Sequence, residues 1–164
     1  MHSDYLYTLS EIAIAIAGFA GIVVAVLGTA ERTLERRALD LTLLKNVLAS
    51  AFMATGFSLL PLTLIEMEVE ARLAWQISSF TAAAVFSLYF VAHLPGTLKS
   101  YRAVGGSLPW TYILNIVLAT AVIGVLLFSA IGKVDYSMYL TAPAYMVYAA
   151  CFSFARVFYS ITPE

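Results

Sequence analysis

Charge is scarce in this chain of 164 residues, of which only 12% are charged and 62% are hydrophobic. The mean hydropathy is +0.88. Soluble domains carry about 25% charged residues. The composition therefore excludes a soluble globular domain and indicates an integral membrane protein.

Histidine and cysteine are also scarce, with two histidines and one cysteine in the whole chain. Metal or haem binding needs several such ligands at one depth, but His2 and His93 fall on opposite sides of the predicted membrane. Cys151 excludes an intrachain disulfide because it has no second cysteine to pair with. The sequence also lacks an aspartate pair inside a span and a glycine-rich phosphate loop beside a lysine. We expect no enzyme, no cofactor and no metal site.

Five windows lack Asp, Glu, Lys and Arg, and each approaches or exceeds the ~20 residues that cross a bilayer. They are 12–30, 46–65, 73–98, 103–132 and 136–155. We predict an all-α, polytopic membrane helix bundle in a single membrane domain, 1–164. Its five transmembrane helices are expected at about 9–30, 41–65, 73–94, 109–131 and 136–161. The short connections leave no surface for nucleic acid.

Local signals predict where some helices begin and end. Asp40 is placed to cap the second helix. The third is expected to end at His93-Leu94-Pro95-Gly96, because proline interrupts the helical ladder and glycine accepts positive φ. The segment 31–39 has no Gly or Pro, so the first helix is expected to continue into it.

Basic residues predict the orientation of the chain. Seven of the nine Lys and Arg residues follow the first or third span or lie near the C-terminus, whereas only Arg72 and Lys133 lie on the other side. Because positive loops stay in the cytoplasm, we predict the N-terminus outside and the C-terminus inside.

The first span carries one acid, Glu11, and then no charge until Glu31. At 100° per residue one stripe of this helix contains Glu11, Ala15, Gly18, Ile22, Ala25 and Thr29. If the helix continues, Arg32 and Arg36 fall close to the same stripe. Small residues let membrane helices approach closely, and those expected to pack against neighbours are Ala13, Ala17, Gly21 and Gly28.

Four polar residues outside the first span have ordinary structural interpretations. Asn46 and Asn115 are expected to hydrogen-bond neighbouring helices. His93 is interpreted as an interfacial or capping residue rather than a proton relay. Arg156 is expected to extend its side chain to the inner membrane surface.

The first helix also carries a resemblance. The run Leu9-Ser10-Glu11-Ile12-Ala13-Ile14-Ala15-Ile16-Ala17-Gly18-Phe19-Ala20-Gly21-Ile22-Val23, with Asn46-Val47-Leu48 and Phe154-Ala155-Arg156, resembles a family of small, uncharacterised bacterial five-span membrane proteins. The resemblance implies a multi-pass protein of the bacterial inner membrane and implies no activity.

The hypothesis that we rank first is a homo-oligomeric ion channel with the first helix around the pore. A ring of Glu11 carboxylates at the outer mouth would attract inorganic cations, and Ala15 and Gly18 would form a narrow neck. Ile22 would act as an apolar gate. Thr29 with Arg32 or Arg36 would line the inner mouth.

Two alternatives belong to other classes of protein. The first is an accessory or scaffolding subunit that packs against a partner through the small face of the first helix. The second is a small-solute transporter, which requires a polar pocket near the membrane midplane and broken helices. Pro61 and Pro143 are the residues that would break spans. In every case the lipid bilayer is the surrounding medium.

Overall fold

The computed structural model describes residues 2–27, 34–103, 110–132 and 136–161. These residues form five α-helices: α1 His2–Leu27, α2 Leu34–Glu66, α3 Ala71–Ala103, α4 Trp110–Ile131 and α5 Tyr136–Ile161. Each helix contains a stretch of 20 to 26 residues that is apolar enough to cross a membrane. The predicted all-α bundle of five membrane helices is therefore confirmed, and the chain is a multi-pass membrane protein.

Three predicted helix boundaries are wrong. α1 begins at His2 and not at about residue 9. α3 continues through Pro95 to Ala103, because one proline removes one N–H and the residues beyond it include good helix formers. α2 begins at Leu34, so Asp40 lies inside the helix and not at its cap. Leu, Glu, Arg and Ala between 34 and 39 favour this extension. Residues 28–33, where the first helix was expected to continue, lie outside the described part of the chain.

α2 and α5 are the central helices of the bundle. α1 packs against these two, whereas α3 and α4 pack against each other on the far side. Trp75 of α3 contacts Tyr136 and Tyr139 of α5, with ring centroids 5.1 and 5.5 Å apart. α3 and α5 therefore begin at the same end of the bundle, which we call the Trp75 end. The opposite end, where α2 and α4 begin, is the Arg156 end.

Small side chains make the interior. The largest buried cluster joins all five helices, and about half of its members are alanines: Ala13, Ala51, Ala54, Ala82, Ala83, Ala119, Ala142 and Ala149. Lipid is as apolar as these side chains, so close van der Waals contact between backbones is what holds such helices together. Ser79 and Ser129 add a contact between α3 and α4, with their hydroxyl oxygens 3.3 Å apart.

Pro61 lies inside α2 and has no N–H to give to the carbonyl of Phe57, four residues earlier. The Tyr139 hydroxyl of α5 donates to that carbonyl oxygen at a distance of 2.6 Å. Tyr139 is fully buried. Proline is tolerated in a membrane helix when a neighbouring helix satisfies the backbone group that it frees, and α5 does so here.

The turn between α2 and α3 reverses the chain in four residues. Glu68 has a φ of 62°, and its N–H donates to the Ile65 carbonyl while the Val69 N–H donates to the Leu64 carbonyl. This pair of bonds is a Schellman motif, in which the left-handed position is usually glycine. The tight turn makes α2 and α3 antiparallel neighbours.

Candidate functional site

The predicted stripe of α1 faces away from the rest of the bundle. Glu11, Ala15, Gly18 and Ile22 are all exposed, and we call these four residues the Glu11 face. The opposite side of the helix is buried and consists of Leu6, Ser10, Ala13 and Ala20. No described part of the chain covers the Glu11 face.

The Glu11 face is also open in a steric sense. A Cβ atom added at Gly18 would meet no atom within 4 Å apart from the backbone of its own helix, and the same holds at Gly21. Ile22 exposes 61% of its surface. A second molecule could therefore approach the α1 backbone closely along this face without displacing any side chain of the bundle.

Glu11 lies within the apolar stretch Asp4–Val23 of α1. The apolar stretch of α1 itself begins at Asp4, about 10 Å before Glu11. A span that began at residue 9 would place Glu11 in its first turn. A stretch that begins at Asp4 places the carboxylate about two turns from the start.

The small residues of α1 divide between two sides. Ala13 is buried and Ala17 packs against the main cluster, whereas Gly21 is exposed beside Gly18. Ala25 belongs to the end of α1. Gly28, Thr29 and Arg32 lie outside the described residues. Arg36 belongs to the first turn of α2, not to a continuation of α1.

A second feature is a partly open cavity of about 80 Å³ at the Arg156 end, between α2, α3, α4 and α5. Its apolar lining comes mainly from phenylalanine, leucine and methionine. Its polar lining consists of Asn46, Ser50, Tyr89, His93, Tyr112, Asn115, Tyr145, Ser153 and Arg156. None of the 16 described residues that line it is acidic.

Both asparagines of the cavity bond a tyrosine of another helix. The Tyr89 hydroxyl donates to Oδ1 of Asn46 at 3.2 Å. The Tyr145 hydroxyl lies 3.0 Å from Oδ1 of Asn115 and 3.1 Å from its backbone oxygen. In each pair the amide oxygen accepts from a tyrosine hydroxyl, and the amide NH₂ is the donor group of the asparagine.

Two nitrogen-bearing side chains, Arg156 and His93, complete the cavity. The Arg156 guanidinium lies over the ring of Phe152, 5.6 Å from its centroid. His93 stacks on Tyr89 with centroids 4.1 Å apart, and its Nδ1 lies 3.0 Å from the Tyr89 backbone oxygen. A carbonyl oxygen only accepts, so Nδ1 carries the proton in that contact and Nε2 is the remaining ring nitrogen.

The sequence does not predict this cavity, although it singles out four of its members. Asn46, Asn115, His93 and Arg156 each have an ordinary structural interpretation when taken alone. The available signal is their common depth, since each lies toward the same end of its own span. Among the described residues, no group of three or more His, Cys, Asp or Glu could hold a metal ion.

Comparisons of this chain with protein-family models, with curated proteins and with solved structures find no match.

Proposed function

We propose that this protein is a homo-oligomeric ion channel in which the Glu11 faces of several α1 helices surround a cation path. The observation that carries the proposal is the position of Glu11, which is exposed on the lipid side of a single protomer although it lies within the apolar stretch Asp4–Val23. A charged side chain in the hydrocarbon is costly, about 2.5–3.5 kcal/mol or more at the bilayer centre. A water-filled axis between protomers removes that cost.

The packing of α1 supports a ring around this helix. α1 contacts only α2 and α5 among the described helices, so it lies at the edge of the bundle and leaves its other side for neighbouring protomers. Closed rings form when identical contacts repeat by rotation. The exposed Gly18 and Gly21, with open space beside them, allow the backbones of adjacent α1 helices to come close.

Each residue of the Glu11 face has a role along such a path. Glu11 carboxylates attract cations. Their ring lies further inside the path than the outer mouth, where the sequence hypothesis put it. Ala15 and Gly18 form the neck toward the Arg156 end. Ile22 follows as an apolar constriction that closes by losing its water. The order is acid, small residues and then apolar gate.

The charge distribution supports an orientation for the channel. Basic residues concentrate at the Arg156 end, where Lys45 of α2 and Lys99 of α3 are exposed. By the positive-inside rule the Arg156 end faces the cytoplasm and the N-terminus lies outside. The bacterial inner membrane is the location that we propose.

The test has two parts, the first being the mass of the purified protein in nanodiscs by native mass spectrometry. A discrete homo-oligomer supports the channel. A monomer contradicts it and favours the scaffolding alternative, in which a different protein covers the Glu11 face.

The second part is cation flux in reconstituted vesicles. Glu11→Gln is expected to lower the ratio of cation to anion permeability roughly tenfold, because acidic linings concentrate counter-ions by at least that factor. Glu70→Gln is the matched control, since Glu70 lies exposed in the α2–α3 turn. Unchanged selectivity in Glu11→Gln would refute the assignment of the pore.

A further inference from the structure

The cavity at the Arg156 end lies apart from the proposed pore. Its lining residues come from α2, α3, α4 and α5, and α1 contributes none of the described ones. Its interpretation is therefore independent of whether α1 forms a channel.

We propose that this cavity binds a phosphate group. Its polar lining offers donors and positive charge: the Arg156 guanidinium, the amide NH₂ groups of Asn46 and Asn115, and the Tyr112 hydroxyl. Arginine is the side chain best suited to phosphate because its N–H groups form charge-assisted pairs with the oxygens.

The chemistry of the lining argues against a cation and against a wholly apolar ligand. A cation would meet Arg156 and no acidic side chain among the described lining residues. A wholly apolar ligand would leave the asparagine amides without partners, which is costly inside a membrane. A group with several acceptor oxygens can accept from the donors that α2, α4 and α5 contribute to the lining.

The size and position of the cavity fit the same ligand. A water molecule needs at least 10–15 Å³ of such volume, so about 80 Å³ holds several waters or one phosphate group. The cavity lies at the end of the bundle where Lys45 and Lys99 are exposed. Basic pockets between membrane helices are suited to anionic headgroups.

The phosphate can belong to a phospholipid headgroup or to free phosphate, and one experiment separates these sources. Delipidated protein in detergent is titrated with inorganic phosphate, with sodium chloride at equal ionic strength as the control, and thermal stability is measured. The same protein is titrated with dioleoyl phosphatidylglycerol, and bound lipid is counted by native mass spectrometry.

Three variants assign any binding to the cavity. Arg156→Gln is expected to weaken binding roughly 10- to 100-fold, the range for a hydrogen bond to a charged group. Asn115→Asp keeps the Oδ1 that accepts from Tyr145 but replaces the donor NH₂ with a negative oxygen, so it should abolish binding. Lys99→Gln, which removes a positive charge that is not in the cavity lining, should retain it.

Each outcome decides the proposal. Stabilisation by inorganic phosphate supports a free phosphate ligand. Retention of lipid without an effect of phosphate supports a headgroup. In either case Arg156→Gln and Asn115→Asp must lose the binding. Binding to none of the probes, or equal binding in all variants, overturns the proposal. If Arg156→Gln does not fold, Asn115→Asp and Asn46→Asp carry the same test.

Discussion

The contact between Tyr139 and Phe57 leads to the sharpest prediction about stability. Pro61 cannot donate to the Phe57 carbonyl, and the Tyr139 hydroxyl does so at 2.6 Å. Tyr139→Phe removes only that hydroxyl and leaves the ring against Trp75, 5.5 Å away. The carbonyl oxygen then lies buried without its donor, which costs about 1–3 kcal/mol.

The same substitution should cost much less when proline is absent. Pro61→Ala restores a backbone N–H four residues after Phe57, so the carbonyl regains its helical partner. In that background we expect Tyr139→Phe to cost no more than about 0.5 kcal/mol, the low end for a replaceable hydrogen bond. The coupling energy between the two sites is then about 0.5–3 kcal/mol.

A double-mutant cycle measures this coupling. The free energy of unfolding is obtained for the four proteins in mixed micelles with increasing denaturing detergent, followed by circular dichroism. Tyr148→Phe is the matched control, because Tyr148 is 41% exposed and its change should be nearly neutral. An equal cost of Tyr139→Phe with and without Pro61 would refute the idea that α5 replaces the missing donor.

Two further substitutions test the Glu11 face and the α2–α3 turn. Gly18→Leu should leave a single protomer folded, because no atom lies within 4 Å of the new Cβ. It should weaken association between protomers by about 1–3 kcal/mol, roughly 5- to 150-fold, as measured by native mass spectrometry. Gly124→Leu is the control, because Gly124 is equally open but lies on α4, and it should leave association unchanged. Glu68→Gly should stabilise the protein by about 0.5–1 kcal/mol because it relieves a left-handed residue with a φ of 62°. Glu68→Ala should give no gain, and thermal unfolding that ranked the two alike would contradict the turn argument.

Local signals in the sequence differ in how well they predict helix ends. The second helix ends at Glu66 and the fifth begins at Tyr136, within one residue of the predicted limits, because polar residues bound both spans there. The Pro95-Gly96 pair favours an end that the structure does not have. A proline removes one hydrogen bond from a helix that many other contacts stabilise. Whether the helix ends there depends on the helices packed around it and not on the Pro-Gly pair alone.

The sides of α1 illustrate what periodicity leaves open. The sequence predicts one surface of small residues, but the structure turns Ala13 and Ala20 toward α2 and α5 and leaves Ala15 and Gly18 exposed. Hydropathy cannot set this rotation, because both sides of a membrane helix are apolar and lipid accepts either. The contact with α2 and α5 sets it.

The sequence by itself determined that this is a five-helix membrane protein, because the length and apolar character of each span leave a helix as the only way to satisfy its backbone in lipid. Only the tertiary structure decided which residues meet. It places Glu11 inside the span on an uncovered face, and it brings Asn46, Asn115 and Arg156 to one cavity. These three residues lie on different helices, and their convergence depends on helix rotation and on the order in which the helices pack, neither of which is encoded in a local pattern.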